Sequence, residues 1–142
     1  MTHRRQSLTA DEQGSILLLT LGYALLAIVA ILVCVNATSL YLAQKRLDSL
    51  ADAAALAGAD GFSLVLQGDV VRADLNDADV SSQASEIVDV AGDGATLVSA
   101  GTPDGNSARV TVAVVWHPPV VSVFVPDGVP LEATATSRTA LR

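Results

Sequence analysis

"QKRLDSLADAAALAGAD", residues 44–60, decides how this chain is built, because of what lies just before it. The twenty residues Ile16–Val35 contain no charge, and the chain passes from them into an alanine-rich stretch with acids spaced along it. In a chain of 142 residues with 51% hydrophobic and 16% charged side chains, that run holds most of the apolar surplus. At 1.5 Å per helical residue it spans ~30 Å, the thickness of a bilayer hydrocarbon core. A membrane segment is expected there, with Ile16, Leu19, Leu26, Val29, Val33 and Val35 in its core and the lipid bilayer as its first partner. A cleaved secretory signal has the basic start that Arg4 and Arg5 supply, but a shorter apolar centre. Lipidation needs a small residue before the cysteine, and Val33 precedes Cys34. As the only cysteine, Cys34 excludes an intrachain disulfide and a cysteine metal cage.

Nothing forces the helix to stop where the apolar run does. Between Ser15 and Ala59 there is no proline, and the only glycines are Gly22 and Gly58. Within the alanine-rich stretch Leu40, Ala43, Leu47, Leu50, Ala54 and Ala57 recur at alternating spacings of three and four. Gln44, Lys45, Asp48, Ser49 and Asp52 fall on the other side. A single helix over 15–59 would be ~65–70 Å long, about twice what a bilayer needs. Its second half should project, with the seam meeting either the chain's own sheet or neighbouring subunits.

Gly58, Gly61 and Gly68 are expected to mark a loosened connection. Val80, Ala84, Ile87, Val88 and Ala91 then recur at helical spacing, and Gly92-Asp93-Gly94 ends a second, short helix. "ATLVSA" (95–100) and "ARVTVAVVW" (108–116) flank Pro103-Asp104-Gly105, the chemistry of a hairpin turn. "VVSVFV" (120–125) and "LEATATSRTA" (131–140) complete about four antiparallel strands. The expected fold is α+β and pilin-like in plan, with a tail (1–14), a membrane-spanning helix and its extension (15–60) and a small domain (61–142). With so few aromatic residues its core should be thin.

Arg4 and Arg5 before the apolar run balance Lys45 and Arg46 after it, so flanking charge leaves orientation tied. From Lys45 onward there are six basic and thirteen acidic residues, a net charge of −7. Such a domain has no electrostatic footprint for nucleic acid or anionic lipid. We therefore place the amino terminus in the cytoplasm and the acidic domain outside the cell membrane.

Little in the sequence suggests catalysis or a cofactor. His3 and His117 lie on opposite sides of the apolar run, and neither belongs to a catalytic or metal-binding motif. Asp74, Asn76, Asp77 and Asp79 invite a calcium reading, but Ala78 and Asp79 break the EF-hand spacing. These aspartates read as a solvated loop leading into the second helix. Val110, Val112, Val114, Val115 and Trp116 read as core. No enzyme activity and no small-molecule substrate are expected. A single-pass envelope protein whose β-domain binds a ligand or calcium is the alternative.

Three stretches carry a resemblance to a known family: Asp11-Glu12-Gln13-Gly14-Ser15 before the apolar run, "LYLAQKR" (40–46) after it, and above all "LADAAALAGA" (50–59). In this order they resemble the TadE/TadG-like proteins of the tight-adherence (Tad, or Flp) pilus assembly system, over roughly residues 12–60. The resemblance implies a membrane-anchored minor pilin or pilus-assembly component, non-catalytic, with other pilin-like subunits as partners and a place in or beside a pilus. Gly14-Ser15 would be the bond for prepilin peptidase. The fifth residue after Gly14 is Leu19, where such substrates carry glutamate, so the full anchor is expected to be retained.

Overall fold

The computed structural model describes residues 7–67 and 70–138. Its element order is α1 (Ser7–Asp60), β1 (Ser63–Gln67), β2 (Val70–Asp74), α2 (Asp77–Ala91), β3 (Thr96–Gly101), β4 (Ser107–Trp116) and β5 (Val129–Arg138). The α+β class, the long amino-terminal helix and the short second helix are as expected. His3, Arg4, Arg5, Gly68 and the last residues of the final expected strand, 139–140, lie outside the described residues. The chain divides into two compact units, Met1–Thr38 and Ser39–Arg142.

In the first unit every described side chain from Gly14 to Val35 is exposed. Two of its polar side chains donate within the helix: the Thr20 hydroxyl to the Leu17 carbonyl at 2.9 Å, and Asn36 Nδ2 to the Leu32 carbonyl at 2.8 Å, while Asn36 Oδ1 is buried without a partner among the described residues. These bonds lower the cost of polar groups in an apolar helix.

In the second unit the carboxyl-terminal part of α1 and the whole of α2 share one core with a three-stranded antiparallel sheet in the order β3-β4-β5. The β4–β5 register sets Val110 opposite Ala135, Val112 opposite Ala133 and Val114 opposite Leu131. Large side chains of β4 thus face alanines of β5 at two of three positions, which lets helix and sheet interdigitate. The buried core consists of alanine, valine and leucine, with Phe62 packed at its margin, so it is as thin as the composition suggests.

Gly58 does not loosen the chain; it lies inside α1 and is buried. A Cβ there would stand 3.0 Å from Val80 Cγ1 and 3.3 Å from Ala108 Cβ, so glycine lets α1 approach α2 and β4 together. The connection from α1 to α2 also contains a short antiparallel hairpin, β1 with β2, pairing Gln67 with Val70. α2 opens on Asn76, whose side chain accepts from Asp79 N at 2.9 Å, and ends at Gly92. The turn between β3 and β4 is the expected one: Asp104 Oδ1 accepts from Asn106 N at 3.0 Å, Ser107 N at 2.7 Å and Ser107 Oγ at 2.6 Å.

The sheet has three strands rather than four, because 120–125 forms turns. β5 pairs with β4 over its full length, with Val129 opposite Trp116. The intervening residues must therefore reverse the chain between directly opposed positions, and prolines at 118, 119 and 126 withhold ladder donors.

Candidate interaction surfaces

The second half of α1 presents two faces of different character. Of the expected seam, Leu47, Leu50 and Ala54 are buried in the chain's own core, whereas Leu40, Ala43 and Ala57 are half-buried. Ala51, Ala55, Gly58 and Ala59 complete the buried stripe. The shift has a geometric cause. A helix of 3.6 residues per turn drifts ~20° per heptad against a 3.5-residue repeat, so the contact line passes from Ala57 to Gly58 and Ala59. The alanines and Gly58 keep the backbone close to the sheet, which explains their concentration here.

The outward face carries Leu42, Arg46, Ser49, Ala53 and Leu56, spaced four and three residues apart and all exposed. Leu56 keeps 55% of its surface in solvent. Between this face and the α2–β3 turn lies a groove of about 540 Å³, lined in part by Ala43, Arg46, Leu50, Ala53, Asp93 and Val114. Beside it Lys45 Nζ and Asp48 Oδ2 form an ion pair at 3.2 Å, and Gln44 Nε2 donates to Asp48 Oδ1 at 3.0 Å. The Gln44 hydrogen bond, followed by that of Lys45, holds the Asp48 carboxyl below its ordinary value. The Asp48 hydrogen bond and charge raise Lys45. Gln44 also reaches the Glu132 carbonyl of β5 at 3.3 Å. This polar row hydrogen-bonds to the sheet margin and to itself, and so fixes the rotation of α1.

Two of the aspartates considered for calcium, Asp77 and Asp79, have structural tasks. Asp77 Oδ1 accepts from Thr102 N at 2.7 Å, which ties the start of α2 to the end of β3. Asp79 belongs to the Asn76 cap. Among the described residues no group of three or more His, Cys, Asp or Glu side chains is arranged to hold a metal ion. His117 is exposed at the end of β4.

In the amino-terminal unit, Gly22 makes a notch on α1, lined by Ser15, Leu18, Leu19, Tyr23 and Leu26. Sequence reasoning finds the apolar run but misses this notch and the outward stripe. Both are legible once the residues are placed at 3.6 per turn.

Among the described residues these features comprise one helix long and apolar enough to cross a membrane, joined to a small α+β unit without a metal cluster. Residues 14–61 match the family described as "Putative Flp pilus-assembly TadE/G-like". That stretch is similar to the TadE/G-like family over about a third of the chain, and with the apolar helix it supports a pilus-assembly role. No curated protein and no solved structure matches the chain.

Proposed function

We propose that the chain is a membrane-anchored subunit of Flp pilus assembly, a minor pilin or assembly component that acts by packing against other pilin-like subunits. Ile16–Val35 holds it in the bilayer, the amino-terminal tail faces the cytoplasm, and the acidic unit stands outside. The observation that carries this reading is a coincidence of boundaries. The TadE/G-like match over 14–61 begins two residues before the apolar run Ile16–Val35 and ends one residue after α1. The matched element is thus one uninterrupted stretch of α1, half of it suited to lipid and half to a protein core.

On this reading the surfaces available to partners are the Gly22 notch within the bilayer and the Leu42–Leu56 stripe outside it. Leu47, Leu50 and Ala54 act indirectly, by holding α1 against the sheet, while Leu40, Ala43 and Ala57 border the partner surface. The chain carries out no catalytic step and takes no cofactor, small-molecule substrate or nucleic acid. Gly14-Ser15 stays uncut, which mass spectrometry of the mature amino terminus would establish.

The test is co-purification of the full-length protein with its pilin partner from solubilised membranes. Leu56→Asp should abolish co-purification while leaving the domain folded and membrane insertion intact. Retention of the partner by a folded Leu56→Asp protein would refute this face as the interface.

A further inference from the structure

The connection between β4 and β5, residues 117–128, has a combination of properties that neither the fold nor pilus packing accounts for. It displays three large apolar side chains: Val120 is 40%, Val123 85% and Phe124 84% exposed. They stand on an ordered turn. Phe124 N donates to the Val121 carbonyl at 2.9 Å, Val125 N to the same carbonyl at 3.2 Å, and Gly128 N to the Val125 carbonyl at 3.2 Å. Gly128 closes the turn with φ +70°, where an added Cβ would stand 2.6 Å from Val115 Cγ1. The only formally charged residue in the connection is Asp127.

Its position in the second unit follows from two contacts. Trp116 Nε1 donates to Ser39 Oγ at 3.2 Å, which joins the end of β4 to the first residue of the unit. At the other end of β4, Ala108 lies against Gly58. α1 and β4 therefore run in opposite directions side by side. The lengths agree, since nineteen helical steps cover ~28 Å and eight strand steps cover ~27 Å. The connection accordingly leaves the sheet at the end of the unit where α1 enters it.

Four residue steps lead from Val35, the last of the apolar run, to Ser39. They cover ~6 Å as helix and no more than ~14 Å fully extended. The headgroup layer of one leaflet is roughly 5–8 Å thick. With Ile16–Val35 in the bilayer, Ser39 and its partner Trp116 must lie in or next to that layer, the depth that tryptophan prefers.

We infer that the β4–β5 connection docks on the bilayer surface, with Val123 and Phe124 at the boundary of headgroups and acyl chains and Trp116 above them in the headgroup layer. The contact is apolar and adds a second, peripheral tie to the membrane. Because the connection carries no lysine or arginine, docking needs no anionic lipid and resists salt. The inference rests on the anchoring proposed above.

Trp116 is the only tryptophan, so its fluorescence reads its own depth. The full-length protein is reconstituted in phosphatidylcholine vesicles containing lipids with nitroxides at the headgroup or on the upper acyl chain. Wild-type Trp116 should be quenched by the headgroup nitroxide. A Trp116→Phe/Phe124→Trp protein should be quenched at least as strongly by the upper-acyl nitroxide, with blue-shifted emission, and adding Val123→Asp should reduce that quenching several-fold. Quenching of Trp116 without quenching of the tryptophan at 124 would overturn the docking while leaving the anchor in place. No quenching at either site, with the protein released by alkaline washing, would overturn the anchor and the docking together. Emission at 124 that is blue-shifted, unquenched by lipid and dependent on protein density would assign the surface to a second subunit and refute lipid docking. If Trp116→Phe unfolds, Val123→Cys/Cys34→Ala with Trp116 retained and a nitroxide attached supplies the same reading. Its label should collide more with oxygen than with a water-soluble nickel chelate, and the reverse would refute docking.

Discussion

The two halves of α1 are one helix by backbone and two by environment. From Gly14 to Val35 leucine, isoleucine and valine surround the axis, and no described side chain is buried. From Leu47 to Ala59 the large apolar residues give way to alanine, and one face is covered by the sheet and α2. A helix served by lipid needs apolar side chains all round. A helix served by a small sheet needs a narrow stripe of small residues so that two backbones approach. The change from leucine to alanine along α1 records that change of surroundings.

The largest test of this contrast is a carboxylate placed on either side of the second half. Ala54→Asp would bury an unpaired charge at a position with no exposed surface, at a cost of roughly 4 kcal/mol or more. Small domains hold only about 5–15 kcal/mol in total. Loss of the cooperative thermal transition in circular dichroism is expected. Ala53→Asp, one residue earlier and exposed, should stay within about 0.5 kcal/mol of the wild type.

The next test addresses the first half. Leu26→Lys puts a charge near the middle of the apolar run and should disfavour membrane insertion by about 3 kcal/mol, measured as the fraction integrated. The same substitution should leave the melting of the Ser39–Arg142 unit unchanged, since Leu26 belongs to the other unit.

Much of this was readable in advance. The apolar run, the absence of helix breakers, α2 and the Pro103-Asp104-Gly105 hairpin follow from local periodicity and turn chemistry, which act over a few residues. The β1–β2 hairpin is not among the expected elements although "SLVLQ" and "VVRAD" flank a two-residue Gly-Asp signal, because three glycines in that region read as looseness. Gly58 reads as looseness for the same reason, since its purpose lies in Val80 and Ala108, both distant in sequence. "VVSVFV" has strand composition, but the full-length pairing of β4 with β5 requires a reversal there. The docking of Trp116 on Ser39, which locates the β4–β5 connection, has no local signature at all.

Smaller effects sharpen the account of the second unit. Asn76→Ala removes the cap of α2 and should cost about 1 kcal/mol in thermal or denaturant unfolding. The pH dependence is weaker because the groups are exposed. Asp104, held low first by the Ser107 hydroxyl and then by two backbone N–H groups, stabilises the fold above its unfolded value of 3.8. That contribution is lost as pH falls through the lower folded value. Asp48 behaves likewise. Lys45, raised by Asp48, contributes below its ordinary value of 10.5 and loses that contribution as pH rises through the higher folded value. Asp104→Asn should flatten the acid limb of a stability-against-pH curve.

The central claim, that the extension of the anchor helix is the inner wall of the chain's own domain, is tested most directly by thiol labelling of the intact protein in vesicles. In a Cys34→Ala background, Ala53→Cys and Ala54→Cys place one thiol on the outward stripe and one in the core. Rapid maleimide labelling at 53, with labelling at 54 only on unfolding, is the predicted result. Equal rapid labelling at both positions in the folded protein would contradict it.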